Sequence, residues 1–240
     1  MAYQAVFKRY ELKYLLTRPQ QQRILEAMVS RMEPDAYGRT TIRNIYFDTP
    51  SYRLIRRSLD KPAYKEKLRL RSYAVAQAGT PIFVELKKKY DGLVYKRRLS
   101  LPEAQAVDWI RNQSPCPTDN QIGREIDYFL QFYGNLRPTV FLSYDRQAYY
   151  AKDDSRLRIT FDENILCRCT DLSLEAPIYG TPILPADCVL MEVKCDGGMP
   201  LWLTKLLSKE QIYKTSYSKY GTAYQTYIYP LTKEDTPHAE

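Results

Sequence analysis

The sequence predicts an α+β fold, a closed eight-stranded antiparallel β tunnel with helices packed outside it. About eight runs of the chain alternate apolar residues with polar and charged ones, the pattern of strands that have one dry and one wet face. The Asp91-Gly92 pair, which separates two such runs, is a strong hairpin signal. The few predicted helices carry apolar stripes that need an apolar surface to cover. Eight strands are enough to close a sheet on itself.

The first half of the chain is predicted to be mostly strand. Thr17 is the predicted N-cap of a helix over Pro19–Met32, because threonine caps helices well and proline suits a first turn. A second, short helix is predicted near Ser51–Ser58. The strands of this half are predicted over Ala5–Leu16, Thr41–Pro50, Tyr64–Tyr73 and, as a hairpin, Ile82–Leu101.

The second half alternates a helical part with further strands. Two helices, Pro102–Ile110 and Ile122–Tyr133, are separated by a loop, and Gly134 ends the second. A last helical part covers Pro200–Leu207. The strands of this half are predicted over Pro138–Tyr150, Arg156–Cys169 and Asp187–Asp196. The predicted organisation is one tunnel domain over residues 1–230 and a disordered tail over residues 231–240.

Periodicity leaves the direction of the charged strand faces open. Lys65, Lys67, Arg69 and Arg71 share one face of a strand, opposite Leu68 and Leu70. Charges that point outward would give an ordinary apolar core. Charges that point inward would need a wet lumen, since burying so many bases dry costs several kcal/mol each. We favour the inward arrangement, because the helices would then cover the apolar faces.

Composition and charge narrow the class of partner. The net charge of +8 and the pI near 9.1 point to an anion, whether nucleic acid, a membrane surface or a phosphorylated small molecule. The five cysteines lack zinc-finger spacing, which favours reduced thiols in a cytosolic protein. No run of about 18 apolar residues and no apolar signal core is present, so we expect a cytoplasmic protein. The glycine-rich phosphate loops G-x-x-x-x-G-K-[ST] and G-x-G-x-x-G are missing too.

Eight short motifs carry a family resemblance across nearly the whole chain, from about Phe7 to Tyr224. In order they are RYELKY, IRNIYFDTP, KLRLRSY, IFVELKKKYDGLVYKRR, SYDRQAY, RLRITFDENI, LMEVKCDGGMP and YSKYGTAY. Together they resemble the VTC-type polyphosphate polymerase domain of the triphosphate tunnel metalloenzyme (CYTH-like) superfamily. The resemblance implies an antiparallel tunnel with inward basic walls. It also implies that the tunnel holds a triphosphate or polyphosphate chain and a divalent cation, Mn²⁺ or Mg²⁺.

The resemblance also implies roles for individual residues. The catalytic basic wall would consist of Lys13, Arg69, Arg71, Lys87, Arg146 and Lys194. Further substrate-binding residues would be Lys96, Arg98, Arg158, Tyr144, Ser218 and Lys219. Glu192, in the E-x-K position, would be the principal metal ligand, with Glu11 and Glu85 as helpers. Arg9 stands where the wider superfamily has the first Glu of its E-x-E-x-K signature, which leaves the number of metal ions open.

Three functions remain open at this stage. The leading hypothesis is a polyphosphate polymerase that transfers the γ-phosphate of ATP, or of another nucleoside triphosphate, to a growing polyphosphate chain. An ionised acceptor phosphate needs alignment and charge neutralisation more than a general base, which suits a site rich in Arg and Lys. The alternatives are a triphosphatase of the same fold and a non-catalytic polyanion-binding or RNA-binding module. Bases interleaved with carboxylates argue against RNA, so no nucleic-acid partner is expected. A membrane-protein partner that would hold the protein at the inner face of a membrane stays open.

Overall fold

The fold is built on one curled antiparallel sheet with helices on its outer surface. The computed structural model describes residues 10–154 and 156–234. The eight long strands are β1 (Tyr10–Thr17), β3 (Thr40–Asp48), β4 (Tyr64–Ser72), β5 (Pro81–Tyr90), β6 (Leu93–Pro102), β7 (Arg137–Ala151), β8 (Arg158–Arg168) and β10 (Cys188–Cys195). Three short strands complete the sheet: β2 (Met32–Pro34), β9 (Thr181–Pro182) and β11 (Lys214–Thr215).

The described part of the sheet is open, so the predicted closure into an eight-stranded tunnel is not confirmed. The strand order is β11-β1-β10-β8-β7-β3-β4-β5-β6, with β2 paired to β7 and β9 paired to β8. Over residues 10–154 and 156–234 no backbone pairing joins β6 to β11, and part of the edge of β1 is already paired with β11. The curl is nevertheless deep, since Lys87 Nζ on β5 lies 3.0 Å from Glu11 Oε2 on β1. Side chains therefore bridge the two ends of the sheet.

The five predicted helices are present in the predicted order, with shifted ends. The helices of the described residues are α1 (Arg18–Met28), α2 (Arg53–Leu59), α3 (Glu103–Asn112), α4 (Gln121–Tyr133), α5 (Leu201–Lys209), α6 (Lys219–Ala223), a π-helical turn (Tyr224–Ile228) and α7 (Tyr229–Glu234). Helix α1 ends at Met28 and not at Met32 as predicted, because Met32 already pairs with Ala151 in the sheet. The short strands β2, β9 and β11, the π-helical turn and helix α7 were not predicted from the sequence.

The local signals at two turns and one cap are confirmed. Thr17 accepts a hydrogen bond from the backbone N–H of Gln20, whose side chain in turn accepts from the Thr17 backbone N–H, a capping box. Asp91 and Gly92 have φ angles of 45° and 82°, the left-handed pair that a tight hairpin requires. Gly134 ends α4 with a φ of 66°.

The apolar strand faces point outward, where the helices bury them. Leu68 and Leu70 on β4 pack in one apolar cluster with Trp109 of α3 and Ile126 of α4, all essentially inaccessible to solvent. A second cluster joins α1 and α5 to β1, β8 and β10. Replacing a fully buried side chain such as Trp109 with Ala costs about 3–5 kcal/mol. The charged faces consequently line the concave side of the sheet, as the inward arrangement requires.

The ends of the chain limit two of the sequence predictions. Residues 1–9, which include Arg9 and the start of the predicted first strand, lie outside the described residues. Helix α7 runs to Glu234 and crosses the predicted boundary at residue 230, while residues 235–240 lie outside the described part. Among the described helices none combines the length and the hydropathy needed to cross a membrane.

Candidate active site

The concave face gathers most of the predicted site residues into two groups of charges. We call the first the Glu85 cluster; its members are Glu85, Arg69, Arg71, Lys96 and Arg98. The second is the Glu192 cluster; its members are Glu192, Glu11, Asp162, Lys13, Lys87, Arg146, Lys194 and Lys219. The sequence predicted all of these residues as site residues except Asp162.

Strand register explains the Glu85 cluster. Glu85 on β5 lies directly opposite Arg69 on β4 and opposite Arg98 on β6, so both arginines meet one carboxylate. Its Oε2 accepts hydrogen bonds from Arg69 Nε and Nη2 at 2.9 and 2.7 Å. Its Oε1 accepts from Arg98 Nε at 2.6 Å and lies 2.7 Å from Lys96 Nζ. Glu85 is only 1% exposed, and it can stay ionised there because its partners are cations.

The Glu85 cluster keeps excess positive charge. Burial alone would raise the pKa of Glu85, but the Arg71, Arg69, Lys96 and Arg98 charges hold it well below the usual range. Burial lowers the pKa of Lys96 to about 7, against the opposing pull of Glu85. Lys96 is therefore the member whose charge changes near neutral pH. An anion that entered the cluster would meet three arginines that stay charged and one lysine whose charge depends on pH.

Glu192 is the centre of the second cluster. It stands opposite Lys13 in the β1–β10 register, and it is 5% exposed. Its carboxylate oxygens lie near four cations, Lys194 at 3.2 Å, Lys219 at 3.3 Å, Arg146 at 3.4 Å and Lys13 at 3.8 Å. Burial would raise the pKa of Glu192, but these charges, with Lys219 the strongest, hold it well below its ordinary value. Glu192 is thus ionised at neutral pH.

Asp162 is the site residue that the sequence analysis left unassigned. It lies opposite Arg146 in the β7–β8 register and accepts both forks of that guanidinium at 2.6 Å. Lys219 Nζ donates to Asp162 at 2.5 Å and to Glu192 at 3.3 Å, so one ammonium bridges two buried carboxylates. Burial would lower the pKa of Lys219, but the two carboxylates raise it. The alternation of Asp162 with Arg158 on one strand face was the available signal.

Glu11 and two lysines connect the ends of the sheet. Glu11 lies 3.0 Å from Lys87 and 3.7 Å from Lys13. Burial would raise the pKa of Glu11, but Lys87, Lys13 and Lys194 lower it, while Glu192 opposes them. Burial lowers the pKa of Lys194 to about 8, although Glu192 pulls in the other direction. The Glu192 cluster thus balances five bases against three carboxylates.

Tyr144 links the two clusters. Its hydroxyl accepts a hydrogen bond from Arg71 Nη2 at 3.0 Å. The Lys219 ammonium and the Arg146 guanidinium lie 4.4 and 5.1 Å from its ring centroid. Burial would raise the pKa of Tyr144, but the Arg71, Arg146 and Lys219 charges lower it. One aromatic side chain therefore joins members of both clusters.

Helix α6 is held so that Lys219 enters the concave face. Asp48 is fully buried at the end of β3, where it accepts hydrogen bonds from the α2 backbone at Leu54 and Ile55. Tyr220, next to Lys219, donates to Asp48 at 2.9 Å and stacks on Tyr46 with ring centroids 4.9 Å apart. These contacts fix the first residues of α6 against the sheet.

Two predicted residues lie beside the clusters. Ser218 caps α6 through the Gly221 N–H and also accepts a hydrogen bond from Lys67 Nζ at 3.1 Å. Arg158 lies opposite Lys194 in the β8–β10 register, but its guanidinium pairs with Asp35 at 3.5 Å. Tyr46 and Asn44, which hydrogen-bond Arg69 and Arg71, carried no charge pattern that could have marked them in the sequence.

The donor set of the Glu192 cluster suits a hard divalent cation. Carboxylate oxygens are the ligands that Mg²⁺ and Mn²⁺ prefer, and such ions commonly take only one or two from protein, with phosphates supplying others. Among the described residues no group of three or more Asp, Glu, His or Cys is arranged to hold a metal. The roles of Glu192 and Glu11 as ligands of a metal ion that phosphate oxygens also bind stay a prediction. Glu85, the third predicted ligand, lies in the other cluster among four cations.

Comparisons with known proteins agree with the sequence resemblance. A candidate adenylate cyclase from Bacillus halodurans superposes with a TM-score of 0.58 at 13% identity, covering 93% of this chain and 100% of that one. A candidate adenylyl cyclase from Hippeastrum, described as having a dominant triphosphatase activity, gives a TM-score of 0.55 at 17% identity, covering 91% and 95%. At such identities the likeness concerns the fold alone. No curated protein matches significantly in sequence. The VTC domain family matches residues 8–228, and the chain therefore belongs to that family.

Proposed function

We propose that this protein is a polyphosphate polymerase that works inside its curled sheet. The γ-phosphoryl group of ATP, or of another nucleoside triphosphate, passes to the terminal phosphate of a growing polyphosphate chain, and ADP leaves. In this proposal the two ends of the sheet act as a tunnel that the side-chain bridge between Lys87 and Glu11 completes. Membership of the VTC domain family supports the proposal.

The observation that carries the proposal is the excess of bases on a half-buried inner face. Four bases surround one carboxylate in the Glu85 cluster, and five bases face three carboxylates in the Glu192 cluster. Like charges held this close repel one another, and in this structure each is paired with a carboxylate or a tyrosine. A polyphosphate chain supplies negative charge along its whole length, so it can neutralise both clusters at once.

The division of labour follows from the side chains. Arg69, Arg71 and Arg146 present planar forks that bind two phosphate oxygens at once. Lysines act as point charges that stabilise the charge spread over the transferred group. The Tyr144 hydroxyl accepts a hydrogen bond from Arg71, and its ring lies next to the cationic groups of Arg146 and Lys219. Donor and acceptor phosphates can thus be aligned across both clusters.

Transfer needs no general base from the chain. The terminal phosphate of the acceptor is already ionised at neutral pH, so alignment and charge neutralisation carry the reaction. The only histidine of the chain, His238, lies outside the described residues. Glu192, with Glu11 beside it, would hold Mn²⁺ or Mg²⁺, which when bound supplies charge stabilisation at the phosphoryl oxygens. Lys219 neutralises Asp162 and keeps Glu192 in place.

A triphosphatase is the second candidate, and the carboxylates of Glu192 and Glu11 are the observation that favours it. Either could orient a water molecule toward a bound phosphate, whereas both oxygens of Asp162 are bound by Arg146 and Lys219. The Hippeastrum protein of similar fold is described with such an activity.

Product analysis separates the two candidates. The protein is incubated with ATP and Mn²⁺, and the products are resolved on a gel stained for polyphosphate, with Glu192→Gln as the inactive control. A ladder of lengthening chains with matching ADP is the expected result. ADP with orthophosphate alone would identify a hydrolase and overturn the polymerase proposal.

A further inference from the structure

Two lysines on the concave face of β4 differ from the other bases, because neutral oxygens hold them. Lys67 Nζ donates to Ser218 Oγ at 3.1 Å, and Lys65 Nζ donates to the Ser58 carbonyl oxygen at 3.1 Å. Within residues 10–154 and 156–234 no carboxylate oxygen lies within ion-pair distance of either ammonium. Their charge is left uncompensated, whereas every arginine of the Glu85 cluster has Glu85.

The surroundings of Lys67 add further positive charge. Lys67 lies directly opposite Lys87 in the β4–β5 register, a like-charge pair that strand pairing normally avoids. Burial, followed by the nearby basic charges, lowers the pKa of Lys67 to about 7. The groups that face it are Lys65 and Arg69 on its own strand, Lys13 on β1, Lys87 on β5, and Ser218 and Tyr220 of the α6 segment. None of these groups is an acid.

We propose that Lys67, Lys65 and the Ser218 hydroxyl form an additional phosphate subsite, which holds polyphosphate beside the two clusters. The inference rests on the proposed function for the identity of the polyanion. It assigns Lys67 a binding role that the motif-based prediction did not give it.

Strand geometry sets the length of phosphate chain that this row of basic residues can contact. Residues two apart on a strand are about 6.6 Å apart, so the row Lys65, Lys67, Arg69 and Arg71 spans about 20 Å. That row is longer than a single triphosphate group. Ser218 already accepts hydrogen bonds from Lys67 and Gly221, which leaves its own O–H free to donate to a phosphate oxygen. The subsite should therefore matter more for a long chain than for tripolyphosphate.

The uptake of a proton by Lys67 on phosphate binding follows from the charges around this residue. Burial among other bases lowers the pKa of Lys67 to about 7, so a growing share of its amine is unprotonated as the pH rises above neutral. A bound phosphate favours the charged form, so the amine takes a proton from the buffer as the anion binds. Affinity should then fall by up to about tenfold for each pH unit above 7. An arginine at this position stays protonated, so Lys67→Arg should show a smaller fall, the part that Lys96 and Lys194 contribute.

Calorimetry without metal tests the subsite with inorganic polyphosphate and tripolyphosphate as probes, at about pH 6 and about pH 8. The variants are Lys67→Gln and Lys67→Arg. The matched control is Lys88→Gln, because Lys88 lies on the adjacent strand and points to the outer face, near Glu66 and Glu125. Thermal unfolding checks that each variant is folded. Buffers of different ionisation enthalpy report the protons taken up.

At the lower pH, Lys67→Gln should weaken long-chain polyphosphate binding by about tenfold to 100-fold and tripolyphosphate binding by less. Lys88→Gln should bind both as the wild type does. At the higher pH the wild type should take up close to one proton more than Lys67→Arg. Unchanged long-chain binding in Lys67→Gln, or equal proton uptake in wild type and Lys67→Arg, would overturn the subsite. Turnover is not measured here, so a failure of the polymerase assay leaves this result standing, and the reverse also holds.

Discussion

The Glu85 and Glu192 clusters solve the problem of buried charge in different ways. Glu85 is one carboxylate that holds three arginines and a lysine, whereas the Glu192 cluster interleaves three carboxylates with four lysines and one arginine. In the Glu85 cluster, one carboxylate is the anionic partner of all four cations. In the second, charges are shared, as where Lys219 bridges Asp162 and Glu192.

From this difference we expect different roles for the two carboxylates in the proposed function. Glu85 would be the counterion that keeps the arginine side chains together until a phosphate replaces it. Glu192 lies in a cluster with Glu11 and Asp162, so we expect that cluster to keep carboxylate oxygens for a metal ion when phosphate binds. The experiments below remove one element at a time from each cluster, from the largest expected effect to the smallest.

Glu192→Gln should show the largest effect on activity. The amide loses a charged metal ligand but leaves every base in place, so turnover should fall at least 100-fold, about 3 kcal/mol of barrier, while tripolyphosphate still binds. Initial rates at saturating Mn²⁺ and calorimetric affinity measure the two quantities. Turnover equal to wild type would show that the metal lies elsewhere.

Glu85→Gln should act on stability more than on chemistry. Removing the only carboxylate leaves four cations facing one another, which should lower the free energy of unfolding by about 2–4 kcal/mol after allowing for the partial exposure of the cations. Tripolyphosphate should restore most of this loss, because it binds the folded state and replaces the missing charge. Urea unfolding with and without the anion measures both effects.

The lowered pKa of Glu85 determines the pH range in which its carboxylate stabilises the folded protein. The pKa of Glu85 is lowered in the folded protein, so its contribution is present above the unfolded value of about 4.3 and is lost as the pH falls through the folded value. The free energy of unfolding of the wild type should therefore exceed that of Glu85→Gln at neutral pH, and the difference should disappear only below about pH 4. An equal unfolding free energy of the two proteins at neutral pH would contradict the counterion role.

Arg69→Ala and Arg71→Ala should have intermediate effects, which lower phosphate affinity rather than stability. Each change leaves Glu85 with three cations, so folding should be nearly intact, while tripolyphosphate affinity falls about tenfold to 100-fold. Equilibrium binding at fixed ionic strength measures the loss. Lys88→Ala, on the outer face of β5, is the matched control and should bind normally.

Lys96→Ala should have the smallest effect on the first transfer. Lys96 lies on β6 at the far side of the hairpin, and burial lowers its pKa to about 7. We expect shorter polyphosphate chains with ATP cleavage spared, and a difference from wild type that shrinks as the pH rises above 7, where Lys96 loses its charge. Gel analysis of chain length at two pH values measures this. Chains of unchanged length at about pH 6 would contradict a role along the polyphosphate path.

The charged strand faces were predictable because a strand repeats every two residues. Arg69 with Arg71, or Glu192 with Lys194, share a face whatever the tertiary structure, and the register then brings them together. A period of two does not distinguish inside from outside, so the pattern alone did not give the direction of those faces. Leu68 is buried in one apolar cluster with Trp109 of α3, which decides the question in favour of the inward arrangement.

Other features depend on contacts between distant residues, which a pattern cannot give. Asp162 appeared as one charge in an alternating strand, and only the approach of Lys219 from α6 shows its role. The pairing of Arg71 with Asn44 and Tyr144 requires three strands to be in register. Closure of the sheet was predicted from strand number, but β11 pairs with β1 and the described edges stay apart.

An experimental structure with bound tripolyphosphate tests the central claim, that both clusters hold one phosphate chain on the concave face. We predict phosphate oxygens within hydrogen-bond distance of Arg69 or Arg71 and also of Arg146 or Lys194, with the 2.7 Å Arg69–Glu85 contact lengthened. Phosphates bound only on the outer surface, with both clusters unchanged, would contradict it.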